Sequence, residues 1–290
     1  MNSEAKILSA AGEARRPRTV IRPTRPFLGS VPDDLASLAR YTGLFRAMTA
    51  TRMKIRYRQS VLGWLWAVLQ PLVLMLLYAA IFSHVVGYDT APVPYPLYVM
   101  AGLLPWSFCS TAMSTAAGGM LSHQSLMAKV YFPREIVPLS YVAAALFDFL
   151  VALLVLLGML LPYGMPISPW ALSAIPVIAI LTLHASALCL LLSAVQVRVR
   201  DINVTLPLML QVLMFTAPVV YPAAAVPAWF RPYYWANPLA ILVDDFRHAV
   251  LEGQVPSAGG LAYCAVTGAA FFLFAYWTFK RLEAKIVDEM

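Results

Sequence analysis

The sequence predicts an all-α integral membrane protein: six transmembrane helices, an N-terminal cytoplasmic amphipathic helix, and re-entrant or interfacial helices between spans 5 and 6. Three observations predict it. Of the 290 residues, 61% are hydrophobic and only 12% are charged, about half the charge that coats a water-soluble domain. Six apolar runs have the ~17–25 residues that cross a hydrocarbon core. Lys and Arg gather on one side of those runs. Together these exclude the soluble multidomain chain that the length alone would suggest.

Residues 1–32 concentrate Arg15, Arg16, Arg18, Arg22 and Arg25 with Pro17, Pro23 and Pro26, the composition of a disordered basic tail. No short apolar core lies near residues 10–20, so no cleavable signal is expected and the first span serves as its own insertion signal. Residues 33–58 read as an amphipathic interface helix. Asp33 and Asp34 can cap it, and Leu38, Tyr41, Leu44, Phe45 and Met48 share one face, with Arg40 and Arg46 off it. Such a segment is too polar to span and lies on a leaflet. The cluster Arg52, Lys54, Arg56 and Arg58 follows. It has two readings: attraction to anionic lipid, or capture of a substrate diphosphate, since Arg matches phosphate oxygens bidentately.

The six-span domain is expected over 59–280, with spans at about 62–86, 96–121, 137–161, 169–195, 205–221 and 260–279, and a tail at 281–290. With the N-terminus cytoplasmic, 19 basic residues fall inside and only Arg231 and Arg247 outside. Both termini are therefore expected in the cytoplasm. Pro71, Pro105, Pro176, Pro207 and Pro218 lie in spans, where proline bends a helix or forms a hinge. Cys109, Cys189 and Cys264 sit in separate apolar runs without metal-type spacing and read as small apolar residues.

Two connecting segments stand out. Residues 122–136 allow a short helix ended by Pro133. Their mixture of Gln124, Leu126, Met127, Lys129, Tyr131, Phe132, Arg134 and Glu135 suits either docking to a soluble partner or interfacial anchoring. Residues 222–259 hold Trp229, Phe230, Tyr233, Tyr234 and Trp235, then Asn237-Pro238, a helix-start signal, with a stop near Gly253. This segment reads as an aromatic belt or as re-entrant helices.

Chemistry is sparse. No G-x-x-x-x-G-K-[ST], H-E-x-x-H or G-x-S-x-G pattern occurs, so ATP hydrolysis of the phosphate-loop kind is not expected in this chain. Asp244-Asp245 point about 100° apart on a helix and read as a solvated helix start. Asp148 is the one carboxylate deep in a span, and a hydroxyl or His184 is its expected partner. Trp64, Trp66 and Tyr98 are the aromatics expected to contact sugar, with belt residues as the alternative for the two tryptophans.

At this point a family resemblance emerges. Arg56-Tyr57-Arg58-Gln59-Ser60-Val61-Leu62-Gly63-Trp64-Leu65-Trp66 with Gln70-Pro71-Leu72, Phe132-Pro133-Arg134-Glu135-Ile136 with Pro138, Arg200-Asp201, Asn237-Pro238, and Asp245-Phe246-Arg247 through Gly253 together resemble the permease subunits of ABC exporters for bacterial O-antigen, capsule and teichoic acid polymers. The resemblance runs from about Arg40 to Ile286; the Arg/Pro tail is not part of the pattern.

The resemblance implies a non-enzymatic transporter subunit in the inner membrane, a homodimer bound to two copies of a separate ABC-type ATPase. No cofactor belongs to this chain; ATP and Mg belong to the partner. The implied substrate is a polysaccharide on undecaprenyl diphosphate, with the Phe-Pro-Arg-Glu-Ile signature leaning to O-antigen; no nucleic-acid partner is expected. It casts Arg52, Arg56 and Arg58 on the lipid diphosphate, and residues 122–136, with Gln124 through Glu135, as the helix seated in the ATPase. Residues 33–58 would flank a cytoplasmic gate, and the segment between spans 5 and 6 would form a periplasmic one. Rival readings are a drug or small-lipid exporter and a membrane-embedded polyprenyl-sugar transferase. The transferase finds only Glu135 and Asp201 as acids in the inner loops.

Overall fold

The computed structural model describes residues 40–58, 60–63, 65–82, 90, 92–199 and 201–289. The tail at 1–32, the start of the 33–58 segment, Trp64 and Arg200 lie outside the described residues. Among the described residues every regular element is helical.

Helix α1 covers Thr42–Tyr57. Met48 is buried and Leu44, Phe45 and Arg52 are half-buried, whereas Arg46 and Lys54 are exposed. One face therefore turns inward at helical spacing, and it packs against a later helix, α6, rather than standing clear of the bundle. Helix α2 covers Leu65–Ile81 and contains Pro71. Helix α3 covers Tyr95–Ala117, breaks at Gly118, and continues as α4, Gly119–Ser122, and α5, Gln124–Lys129.

Helix α6, Ile136–Leu160, and the pair formed by a 3-10 turn at Pro169–Ser173 and α7, Ala174–Gln196, are long and apolar enough to cross a membrane. So is Ala258–Glu283 within α11, Ala258–Glu289. The sequence places the sixth span at 260–279 and a separate tail after it; the helix instead runs on through the tail. Helices α2 and α8 (Ile202–Thr216) are shorter apolar helices of 17 and 15 residues, about 22–26 Å of rise against a ~30 Å core.

Helix α3 is long enough but less apolar, with Ser107, Ser110, Thr111, Ser114 and Thr115 in its second half. Its position explains this. It packs against α2, α6, α7 and α8, so its neighbours are protein rather than lipid. Ala101, Gly102, Cys109, Ala112, Ala116 and Ala117 are buried along it, and such small side chains let helices approach closely. Ser193 on α7 donates to the Ala116 carbonyl at 2.9 Å. On the outside, Leu154 of α6, Val212 of α8 and Val266 of α11 are exposed and apolar, the surface a lipid solvent selects.

Helix α8 ends at Thr216, five residues before the expected end of the fifth span at Tyr221. Ala217 turns extended, with φ −110° and ψ 151°, and Pro218 has no N–H to continue a ladder. After a 3-10 turn at Ala223–Ala225 come α9, Arg231–Ala236, and α10, Pro238–Arg247. The helix start expected at Asn237-Pro238 is present: the Asn237 side chain accepts from the Leu239 N–H at 3.1 Å. A π turn, His248–Glu252, follows and stops at Gly253, which is left-handed with φ +63°.

Candidate functional site: a cation-lined cleft beside α6

Helix geometry places Arg52 and Arg56 one turn apart on α1, both facing α6. Arg52 is held on several sides. Its Nε donates to Ser140 Oγ at 2.9 Å, and its guanidinium lies 3.2 Å from the Tyr141 ring centroid. Its Nη2 lies 3.1 Å from His123 Nε2. His123 Nδ1 faces the Gly119 carbonyl at 2.9 Å; Nδ1 therefore carries the proton and Nε2 accepts from Arg52. Burial pulls the His123 pKa below its ordinary value and the Arg52 cation adds to this, against the opposing pull of the Gly119 carbonyl. An imidazole that accepts from a guanidinium must be the neutral form, and this direction of shift favours it.

Arg56 meets Asp148. Its Nη1 donates to Asp148 Oδ2 at 2.5 Å. Asp148 is the thirteenth of the 25 residues of α6, so the end of α1 lies alongside the middle of an apolar span. A carboxylate at that depth requires a partner. Arg56 is such a partner; His184, an alternative expected from the sequence, has its Nδ1 facing its own helix at the Ile180 carbonyl, 3.0 Å away.

Two cavities open around the pair. One, of about 300 Å³, is bounded by α2, α3 and α6 and takes in Trp66, Gln70, Tyr78 and Trp106. The other, of about 270 Å³, lies between α1, α3 and α6 and takes in Arg52, Thr115 and Tyr141. Arg56, Thr111, Ala145 and Asp148 line both. Aromatic faces, hydroxyls and cations on apolar walls suit an amphipathic ligand that combines phosphate with sugar or hydrocarbon.

The expected site residues thus separate. Arg52, Arg56 and Trp66 come together in this cleft, while Arg58 is exposed outside it. Tyr98 stands elsewhere and is buried. Its hydroxyl accepts from Arg247 Nη1 at 2.9 Å, its carbonyl from Arg247 Nε at 3.3 Å, and its ring lies 3.7 Å from that guanidinium. The sugar-contact expectation for Tyr98 does not fit this packing. Gly102, one turn along α3, leaves room for the arginine: a Cβ there would come within 2.3 Å of the Val219 carbonyl oxygen and 2.5 Å of Arg247 Nη2.

Arg247 is the residue sequence reading missed. It is 1% exposed and also donates to the Pro218 and Val219 carbonyls at 2.6 and 3.3 Å, joining α10, α3 and the end of α8. Its signal was present as one of only two basic residues on its side of the spans. The neighbouring acids also depart from the solvated helix start expected: Asp245 is buried, and Asp244 pairs with Arg247 at 3.4 Å.

The 122–136 segment divides likewise. Leu126, Lys129 and Tyr131 are exposed and Gln124 and Met127 half-buried, leaving α5 an accessible face. Phe132 and Glu135 are buried, so these two expected partner contacts face inward. Glu135 pairs with Lys280 at 2.9 Å and accepts from Tyr276 at 3.4 Å. Arg134 donates to the Glu283 carbonyl at 2.9 Å. The Phe-Pro-Arg-Glu signature therefore anchors the segment to α11.

A family model described as ABC-2 type transporter matches residues 43–251. The O-antigen export system permease protein RfbA of Myxococcus xanthus is 30% identical over 256 residues, 87% of this chain and 97% of the relative. The like-named protein of Klebsiella pneumoniae is 26% identical, over 84% of this chain and 94% of its own length. The polysialic acid transport protein KpsM of Escherichia coli is 23% identical, over 76% of this chain and 86% of its own length.

Proposed function

This chain belongs to the ABC-2 type transporter membrane family, and on that footing we propose that it is the membrane-spanning subunit of an ATP-driven exporter for undecaprenyl-diphosphate-linked O-antigen polysaccharide. The observation that carries the substrate is the match, over 87% of this chain, to a relative named as an O-antigen export permease. The cleft supports it with cations and aromatic faces in one place.

In this reading the permease works as a homodimer in the inner membrane. Helices α2, α3, α6, α7, α8 and α11 are the six spans and both termini are cytoplasmic. Residues 1–32 are a basic tail and 33–58 an amphipathic gate-flanking segment. A separate ABC-type ATPase supplies nucleotide hydrolysis, ATP and Mg. It docks on the accessible face of α5, with Gln124, Leu126, Met127, Lys129 and Tyr131 as its contacts. Arg134, Phe132 and Glu135 seat that face on the bundle, so movement of the ATPase is passed to α11 and α6. Arg56 and Arg58 bind the lipid diphosphate and Arg52 docks α1, while Trp64 and Trp66 offer rings to sugar.

The test is export in cells together with co-purification. Wild-type protein is expected to bring down an ABC ATPase whose turnover rises with lipid-linked glycan. Arg56→Ala with Arg58→Ala is expected to cut surface polysaccharide severalfold while the complex still assembles. Unchanged export removes the arginine assignment, and a chain that purifies without any ATPase removes the exporter reading.

A further inference from the structure

The cleft holds an acid where its proposed ligand would be an acid too. Arg52 is committed to Ser140, His123 and Tyr141. Arg56 differs: its side chain is 41% exposed and its carboxylate partner 15%, so the pair can be reached. The carboxylate of Asp148 sits against Arg56 in the manner of a phosphate oxygen, the other anion a guanidinium fork fits.

Position gives the pair its consequence. Arg56 and Asp148, with Thr111 and Ala145, line both cavities, so this ion pair lies at the boundary between them. Arg52 and Tyr141 lie on one side, Trp66 and Gln70 on the other. Breaking the pair frees Arg56 to move with the end of α1, while Asp148 stays fixed on α6. Thr111 on the shared wall, with Gln70, Ser107 and Ser110 in the first cavity, offers the released carboxylate polar company.

We propose that Asp148 is a built-in occupant of the phosphate site: it holds Arg56 while the site is empty, and a diphosphate-bearing lipid headgroup displaces it, joining the two cavities into one continuous cleft. The inference rests on the diphosphate reading above and adds its regulation. The empty permease stays partitioned, and the ligand's own headgroup opens the passage that admits its hydrocarbon and first sugar. A diphosphate carries more charge than one carboxylate and offers more oxygens to the guanidinium fork, so it outcompetes Asp148 for Arg56.

The test uses the full chain with its ATPase in phosphatidylcholine nanodiscs. Thr111→Cys reports the boundary by maleimide labelling, since Cys109, Cys189 and Cys264 are buried. The probes are undecaprenyl diphosphate, undecaprenol and phosphatidylglycerol. In the otherwise wild-type protein, labelling is expected to be slow and to be accelerated by undecaprenyl diphosphate alone. Asp148→Asn, close in shape, is expected to label fast without ligand and to bind undecaprenyl diphosphate roughly fivefold more tightly, the fold-change such a pair holds back. Arg56→Gln, which opens the boundary from the other side, is expected to label fast but to lose the binding gain. Melting and ATPase co-purification of both variants check that they fold.

Asp148→Asn that labels slowly and binds no tighter overturns the displacement while leaving a diphosphate site intact. Equal binding of undecaprenol and undecaprenyl diphosphate overturns the diphosphate site itself, whichever way the variants label. Acceleration by phosphatidylglycerol as strong as that by undecaprenyl diphosphate overturns displacement by the diphosphate.

Discussion

At position 102 an added methyl group has nowhere to go. Its Cβ would meet the Val219 carbonyl and the Arg247 guanidinium, and the first is backbone that Arg247 itself holds in place. Overpacking of this kind costs about 1–3 kcal/mol. Gly102→Ala is therefore expected to lower the melting temperature of the purified protein clearly, whereas Gly158→Ala, with open space around it, is expected to leave it nearly unchanged. The same reasoning explains why Arg247 tolerates burial. Three carbonyls, a hydroxyl and Asp244 surround it, so its donors are satisfied as a buried cation requires.

Among the elements, α5 matters most because it is short and yet anchored. Its six residues cannot form a stable helix alone. What fixes the segment is Glu135, fully buried, with Lys280 and Tyr276 from α11 around it. Replacing one partner of a buried charged hydrogen bond costs about 1–3 kcal/mol. Glu135→Gln is expected to loosen from α11, by that amount, the stretch that follows α5. The complex with the ATPase should still form, but glycan-stimulated ATP hydrolysis should fall severalfold; unchanged stimulation would show that α5 does not transmit the movement. Helix α8 teaches the complementary lesson. The apolar run continues to Tyr221, yet the helix stops at Thr216, because Pro218 cannot donate and Arg247 takes the carbonyls that follow.

At the scale of the whole molecule, the long helices set large apolar side chains such as Leu154, Val212 and Val266 on the outside, where a water-soluble chain would set polar ones. The proposed orientation follows from the 19 to 2 division of Lys and Arg. A reporter fused after Glu289 is expected to be shielded from impermeant reagents in intact cells and reached only after permeabilisation; access from outside would reverse the arrangement. Much of the helical frame is legible in sequence because apolar length and turn chemistry are local properties. Asn237-Pro238 caps α10 and Gly253 ends the turn after it as expected. The cleft was legible only in part: Arg52, Arg56 and Trp66 are visible as residue types, but Tyr98 reads the same way and lies against Arg247 instead.

The sequence by itself determined a helical membrane protein with long apolar helices, the family, and the turn signals between its later elements, since each depends on composition or on residues near one another in the chain. Only the tertiary structure decided which polar side chains meet. Arg56 and Asp148 are 92 positions apart, Glu135 and Lys280 are 145, and Arg247 and Tyr98 are 149. No periodicity encodes such pairs; the packing of helices brings them together, and the cost of an unpaired charge in a low-dielectric interior keeps them there.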